Sequence, residues 1–360
     1  MDLGIDFISL WAGGKVFAEG SNPYDNGKVM QVISEHVVGV NNLPGGYHNP
    51  FYLLPILALF GMMSYRTAAT CWFFATMSVG IFCAESICRD RSYRFNHISG
   101  NLVSILLILL VFFPFSKHIF VGQTSIALLL GLVLASGSLR KGNYIYAGVS
   151  GSLLAVKPHL VIPLCLTLGG WAAIHNRKAL CKCLVGFFLP LAILSLLTIY
   201  IRPTIISENM AGIAEHYSRL VSKQVTLGYI ISDVTGWRGA SSLIFGLGAV
   251  LGLILAVIPN LSLLERSIHA LFIGVLVAPH GYAHDHVVLL YPFMIAVDRL
   301  LNWNYVAGIL ITLMLFLICA IPFSSDIFAN EWISIVVPVI LWAFYLYRNP
   351  FNGNLKTGNS

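Results

Sequence analysis

The chain has 360 residues, 57% of them hydrophobic and only 10% charged, with a mean hydropathy of +0.81. A soluble domain carries about 25% charged residues, so this balance excludes an ordinary water-soluble fold and makes lipid the expected solvent. The net charge of +6 sits in small groups of Lys and Arg at the ends of apolar runs, with no basic stripe, which argues against nucleic acid as a partner.

In chain order, residues 1–50 come first, a polar, loop-like stretch with no signal peptide. The segment 51–63 is apolar but short, and it follows Asn49-Pro50; it reads as a juxtamembrane or re-entrant helix. A spanning helix needs about 20 apolar residues. Runs that qualify lie at 67–88, 98–116, 121–138, 159–176, 180–201, 240–259, 303–323 and 330–347, and shorter ones at 143–157, 266–279 and 286–299. Between them lies a second long polar segment, 202–239, in which Glu215 and Arg219 are spaced as an i, i+4 pair and predict a short surface helix near 206–220. Tyr217, Lys223, Gln224, Asp233 and Trp237 lie in the same segment, as belt anchors or as sugar-stacking groups. Residues 348–360 read as a polar cytoplasmic tail.

The seven cysteines lie in or beside apolar segments and none in the long polar loops, so no disulfide framework is implied. Cys181-x-Cys183 reads better as a pair of small apolar residues at a helix start than as half a metal site.

Orientation follows from Lys and Arg in short loops. Arg89, Arg91 and Arg94, then Arg140-Lys141, then Arg177, Lys178 and Lys182, then Arg266, Arg299 and Arg348 fall on one side if the eleven runs cross, and that side is cytoplasmic. The opposite short loops hold only Lys117 and Lys157. Segments 1–50 and 202–239 then face outward. A chain that starts outside is expected to have a first helix upstream of Met1, giving twelve crossings with both ends inside. The expected location is the plasma (inner) membrane, with a multi-pass chain and an active face on the non-cytoplasmic side.

Four polar groups converge on that outer face: Asp6 and its neighbours; Gly122-Gln123; Lys157-Pro158-His159; and His280-Gly281-Tyr282-Ala283-His284-Asp285-His286. Ionisable groups among apolar runs are costly and mark functional sites by default. Asp6 alone reads as a solvated or capping carboxylate; at a membrane-surface site it reads as a general base. Lys157 reads as a snorkelling lysine or as a cation for a lipid phosphate. His280 and His284 are four apart, but Pro279 and Gly281 break a helix there. There is no HExxH pattern, so hydrogen bonds to a phosphate or sugar are favoured over a metal, and neither metal nor cofactor is expected.

The pattern Asp6-Phe7, Leu10-Trp11-Ala12-Gly13, Gly20 and Pro23-Tyr24-Asp25 resembles the first outer loop of glycosyltransferase family 87. Gly122-Gln123, Arg140-Lys141-Gly142 and Ala147-Gly148 through Lys157-Pro158 are similar to its middle region in order and spacing. Tyr47-His48-Asn49-Pro50-Phe51 stands where the family usually has a Tyr-Pro-Pro-type turn. The resemblance covers about residues 5–175.

It implies an all-α polytopic bundle of the GT-C type and transfer of a hexose, mannose by family default, from a polyprenyl-phosphate donor to a glycolipid or glycan acceptor, with inversion. Asp6 would be the catalytic base. Lys157, His159, His280 and His284 would hold the donor phosphate, and Trp11, Tyr24, Gln123 and Tyr282 would contact substrate. The rival readings are a secondary transporter of a polar solute or lipid-linked glycan, which predicts inverted repeats and a midplane path, and a non-catalytic membrane subunit.

Overall fold

The computed structural model describes residues 4–37, 46–89, 95–96, 98, 100–219, 226–237, 239–306, 308–314 and 338–343. Arg91, Arg94, Lys223, Gln224, Arg348, the tail, residues 315–323 and most of the run 330–347 lie outside them.

Every regular element among the described residues is helical. They are α1 (Ile5–Ala18), α2 (Asn26–His36), α3 (Leu54–Gly61), α4 (Tyr65–Cys88), α5 (Leu102–Val111), α6 (Phe113–Val121), α7 (Ile126–Arg140), α8 (Tyr144–Gly151), α9 (Pro158–His175), α10 (Arg177–Ile201), α11 (Ile205–Arg219), α12 (Leu227–Thr235), α13 (Ala240–Val257), α14 (Leu263–Val277) and α15 (Leu290–Trp303).

The membrane character is visible in what these helices expose. Along α10, Leu184, Val185, Phe188, Leu189, Ile193, Leu196 and Leu197 all face outward. Water would not tolerate a continuous apolar surface of that extent; acyl chains do. Helices α4, α9, α10 and α13 are long and apolar enough to cross a bilayer, and α5 with α6 make a fifth span if counted together. Among the described residues, four or five of the eleven expected crossings are thus present as helices of sufficient length. The run 98–116 is broken at Phe112, because Pro114 has no N–H to give the carbonyl of Leu110. The runs 121–138 and 143–157 fold as α7 and as α8 plus a 3-10 turn (Ser152–Val156), each shorter than a full span. Lys117, expected in an outer loop, lies buried inside α6.

The N-terminal segment is also more ordered than a loop. Asp25 caps α2, its carboxylate accepting from the amides of Gly27 (2.9 Å) and Lys28 (3.3 Å). Helices α1 and α3 touch backbone to backbone: a Cβ on Gly14 would fall 2.3 Å from the Leu57 carbonyl oxygen, and one on Gly61 as close to the Lys15 amide. The short surface helix expected near 206–220 is α11.

The chain forms two compact units. The first draws on Met1–Ile87, Phe113–Pro158 and Gly169–Ser222, the second on Cys88–Phe112, His159–Leu168 and Lys223–Ser360. In the first, α8 and α10 meet through Gly148 and Gly186, where added Cβ atoms would fall 2.0 Å from the Cys183 oxygen and 2.2 Å from the Ile145 oxygen. Small residues permit this approach where no hydrophobic effect drives helices together. In the second unit, Asp298 of α15 is fully buried and accepts from the amides of Asn96 (3.0 Å) and Ile98 (3.3 Å). Arg266, on α14, turns its guanidinium onto the carbonyls of Leu255, Ile258 and Leu261, satisfying the end of α13.

Candidate functional site

Asp6 lies in the first turn of α1 and is half-buried. The start of that helix is tied down by the Gly4 amide, which donates to the Phe120 carbonyl near the end of α6 (2.6 Å). Directly after α6 comes Gly122, in the left-handed region at φ 76°; a Cβ there would lie 2.7 Å from that of Phe7. Only glycine lets the chain pass so close to α1. The consequence is the next residue: Gln123 Nε2 donates to Asp6 Oδ2 at 2.5 Å. A hydrogen bond of this kind fixes one carboxylate oxygen and so the direction of the other, which is what a positioned base needs. Behind Asp6, Phe7 stacks on Trp72 (5.0 Å between ring centres) and meets Phe60 edge-on (6.1 Å).

Lys157 is the second landmark of the first unit. The 3-10 turn ends just before it, and the Tyr52 hydroxyl holds that turn by donating to the Ala155 carbonyl at 2.5 Å. Pro158 forces the residue before it out of the α region, and Lys157 sits at φ −138° as the cap of α9. A cation at the positive end of a helix is unfavourable by itself. The same place, a lysine at a helix N-terminus, suits an anion.

In the second unit, Gly274 lets α14 touch α9, since a Cβ would lie 2.1 Å from the Leu160 oxygen. This contact brings the turn after α14 beside the first turn of α9, and the rings of His159 and His280 lie 3.8 Å apart. His284 does not share a helical face with His280. It is buried in a separate 3-10 helix (Ala283–Leu289), beneath the Tyr282 ring (5.4 Å) and 3.5 Å from Asp285 Oδ1. The Tyr282 amide donates to Asp285 Oδ2 (3.1 Å), which fixes this turn. Among the described residues no three His, Cys, Asp or Glu side chains gather to hold a metal ion.

Two residues read as substrate contacts are inside the protein. Trp11 is a core ring whose Nε1 donates to the Met63 carbonyl (3.1 Å). Tyr24 is buried too, its hydroxyl donating to the Asn49 carbonyl (2.9 Å); burial pushes its pKa up, against a lowering hydrogen bond with Asn209. Tyr52 and Glu208 were not singled out from sequence. Glu208 accepts from both Arg202 and Thr204, and Arg202 also reaches the Gly20 carbonyl (2.7 Å).

Exposed apolar helices and buried or half-buried ionisable groups that gather at a few helix ends define a polytopic membrane protein with the makings of an enzyme site. Residues 47–205, somewhat less than half of the chain, match the model of glycosyltransferase family 87, so over that stretch the chain is similar to a family of membrane glycosyltransferases. Gln123, Lys157 and His159 lie within the matched residues; Asp6, His280 and His284 lie outside them. No curated protein and no solved structure matches the chain.

Proposed function

We propose that this chain transfers a hexose, mannose in the first instance, from a polyprenyl-phosphate donor to an acceptor hydroxyl at the non-cytoplasmic face of the plasma membrane, with eleven crossings and inversion at the anomeric carbon. The observation that carries this reading is the Gln123–Asp6 hydrogen bond, which joins a residue inside the family match to the carboxylate outside it. Asp6 takes the proton of the acceptor hydroxyl as its oxygen attacks the anomeric carbon. The bond from that carbon to the phosphate oxygen breaks, and polyprenyl phosphate leaves. The transition state is oxocarbenium-like, as in glycoside hydrolysis. Negative charge grows on the departing phosphate, and Lys157 neutralises it.

The test uses membranes carrying the wild type or Asp6→Asn and a panel of radiolabelled polyprenyl-phosphate sugars. Wild-type transfer from one donor is expected, with a loss of about 10²- to 10⁴-fold in Asp6→Asn at equal expression, the usual weight of a general base. Full activity in Asp6→Asn, or no donor consumed, would reject the assignment and favour a transporter.

A further inference from the structure

A cleft of about 620 Å³ opens in the first unit, away from the Asp6 end of α1. Asn22, Tyr24, Asp25 and Asn26 form one wall, and Ser207 and Glu208, on α11, form the other. Arg202 braces it, bonded to Glu208 and to the Gly20 carbonyl. The Tyr24 hydroxyl is turned away to Asn49, so the side this residue offers the cleft is its ring.

The polar atoms left over define the ligand. Asp25 commits Oδ1 to the α2 amides, and Asn22 commits Oδ1 to the Tyr24 amide (2.9 Å). Among the described residues, the second carboxylate oxygen of Asp25 and the amide nitrogen of Asn22 remain available. The Ser207 hydroxyl donates to the Thr204 carbonyl (2.8 Å) and keeps its lone pairs. The wall thus mixes acceptors and a donor around a tyrosine ring, and its only guanidinium partner is already engaged. Arg202 is spent on Glu208, whose carboxylate also draws Lys28, and the carboxylate oxygen still open, on Asp25, does not attract a phosphate; a polar wall has little to offer an acyl tail. Groups that donate and accept at once, on a neutral frame, fit: the hydroxyls of a saccharide.

Position supplies the rest. From Asp6 to Gly20 the chain runs the length of α1, about 20 Å at 1.5 Å per residue. A single sugar cannot reach both ends. We propose that this cleft is the distal subsite for the acceptor, and that the acceptor is an extended oligosaccharide rather than a monosaccharide or a simple alcohol. This inference rests on the transferase reading of Asp6.

The experiment reads binding and transfer separately. Saturation-transfer NMR on the detergent-solubilised full chain uses mannotetraose, maltotetraose and cellotetraose with their monosaccharides as probes. The wild type is expected to saturate at least one tetrasaccharide and its monosaccharide weakly. Ala211→Trp, at an exposed position of the cleft on α11, and Ser207→Trp, as the second variant, are expected to weaken that binding at least tenfold at an unchanged melting temperature. Asp6→Asn is expected to retain it. Saturation of no tetrasaccharide, or binding indifferent to both tryptophans, overturns the subsite, as does binding of Ca²⁺ alone in the cleft. Transfer that ignores acceptor length and both tryptophans sinks the cleft and spares Asp6. Tetrasaccharide binding without transfer from any donor sinks the Asp6 reading and leaves the cleft a saccharide site.

Discussion

At Gly122 two constraints coincide: a left-handed backbone and a neighbour 2.7 Å from where a Cβ would stand. Gly122→Ala is therefore expected to displace the chain from Phe7, lowering both the melting temperature in detergent and the rate of sugar transfer. Gln123→Ala removes one charge-assisted hydrogen bond, worth about 1.5–3 kcal/mol, and is expected to cost about 10- to 100-fold in transfer while lowering the melting temperature less than Gly122→Ala does. Equal thermal losses in the two variants would mean that Gln123 is a structural residue. Gly122-Gln123 was visible in the sequence as a motif, but its partner stands 117 positions away, and no local pattern names it. The histidines show the same limit. That Pro279 and Gly281 keep His280 and His284 off one helical face was legible, and α14 does end at Val277; that His280 finds His159 instead was not. Trp11 reads as readily for a sugar platform as for a core ring, and only packing decides.

For the helices, legibility depended on length and pattern. The runs behind α4, α9, α10 and α13 are long and continuous, and they fold near their expected bounds. Helix α1 hid in a stretch taken for loop because Phe7, Ile8, Leu10, Trp11, Ala12, Val16 and Phe17 are buried around most of its surface, leaving no amphipathic stripe to read. Two contacts between helices carry predictions. Gly148→Leu drives a side chain into the α10 backbone at Cys183, an overpacking expected to destabilise by about 1–3 kcal/mol and to be read as a lower melting temperature; an unchanged value would place the two helices apart in the membrane. The Arg202–Glu208 pair joins the end of α10 to α11. Burial would raise the Glu208 pKa, but the hydrogen bonds from Arg202 and Thr204 outweigh it and hold the carboxyl below its ordinary 4.5. The folded pKa lies below the unfolded one, so the unfolded chain binds more protons in acid. The contribution is complete above about pH 4.5, falls below it, and is gone once the folded pKa is passed. Glu208→Gln is expected to be less stable at neutral pH and to show a shallower loss in acid, measured as melting temperature from pH 7 to 3.

At the scale of the whole molecule, the lipid-facing surface was legible from composition, while helix length was less so: among the described residues four helices, or five with the bent pair, are long enough to cross, because hydropathy counts apolar residues and not helix length. Helix α7 has 15 residues, about 22 Å of rise, against a hydrocarbon core of about 30 Å. It turns at Lys141-Gly142 into α8, and both turn residues are exposed with Arg140 beside them. A short hairpin with a basic, exposed turn stays on the side where that charge is held, which the positive-inside rule makes the cytoplasm. Asp25 and Ser207 are exposed too, at the cleft, and the proposed reaction needs them on the opposite face. In a cysteine-free background, Lys141→Cys is therefore expected to react with a membrane-impermeant maleimide only in inverted vesicles, and Ser207→Cys only in intact cells. Labelling of both from the same side would remove the outward site from the acceptor's reach, whatever Asp6 and Gln123 do to each other.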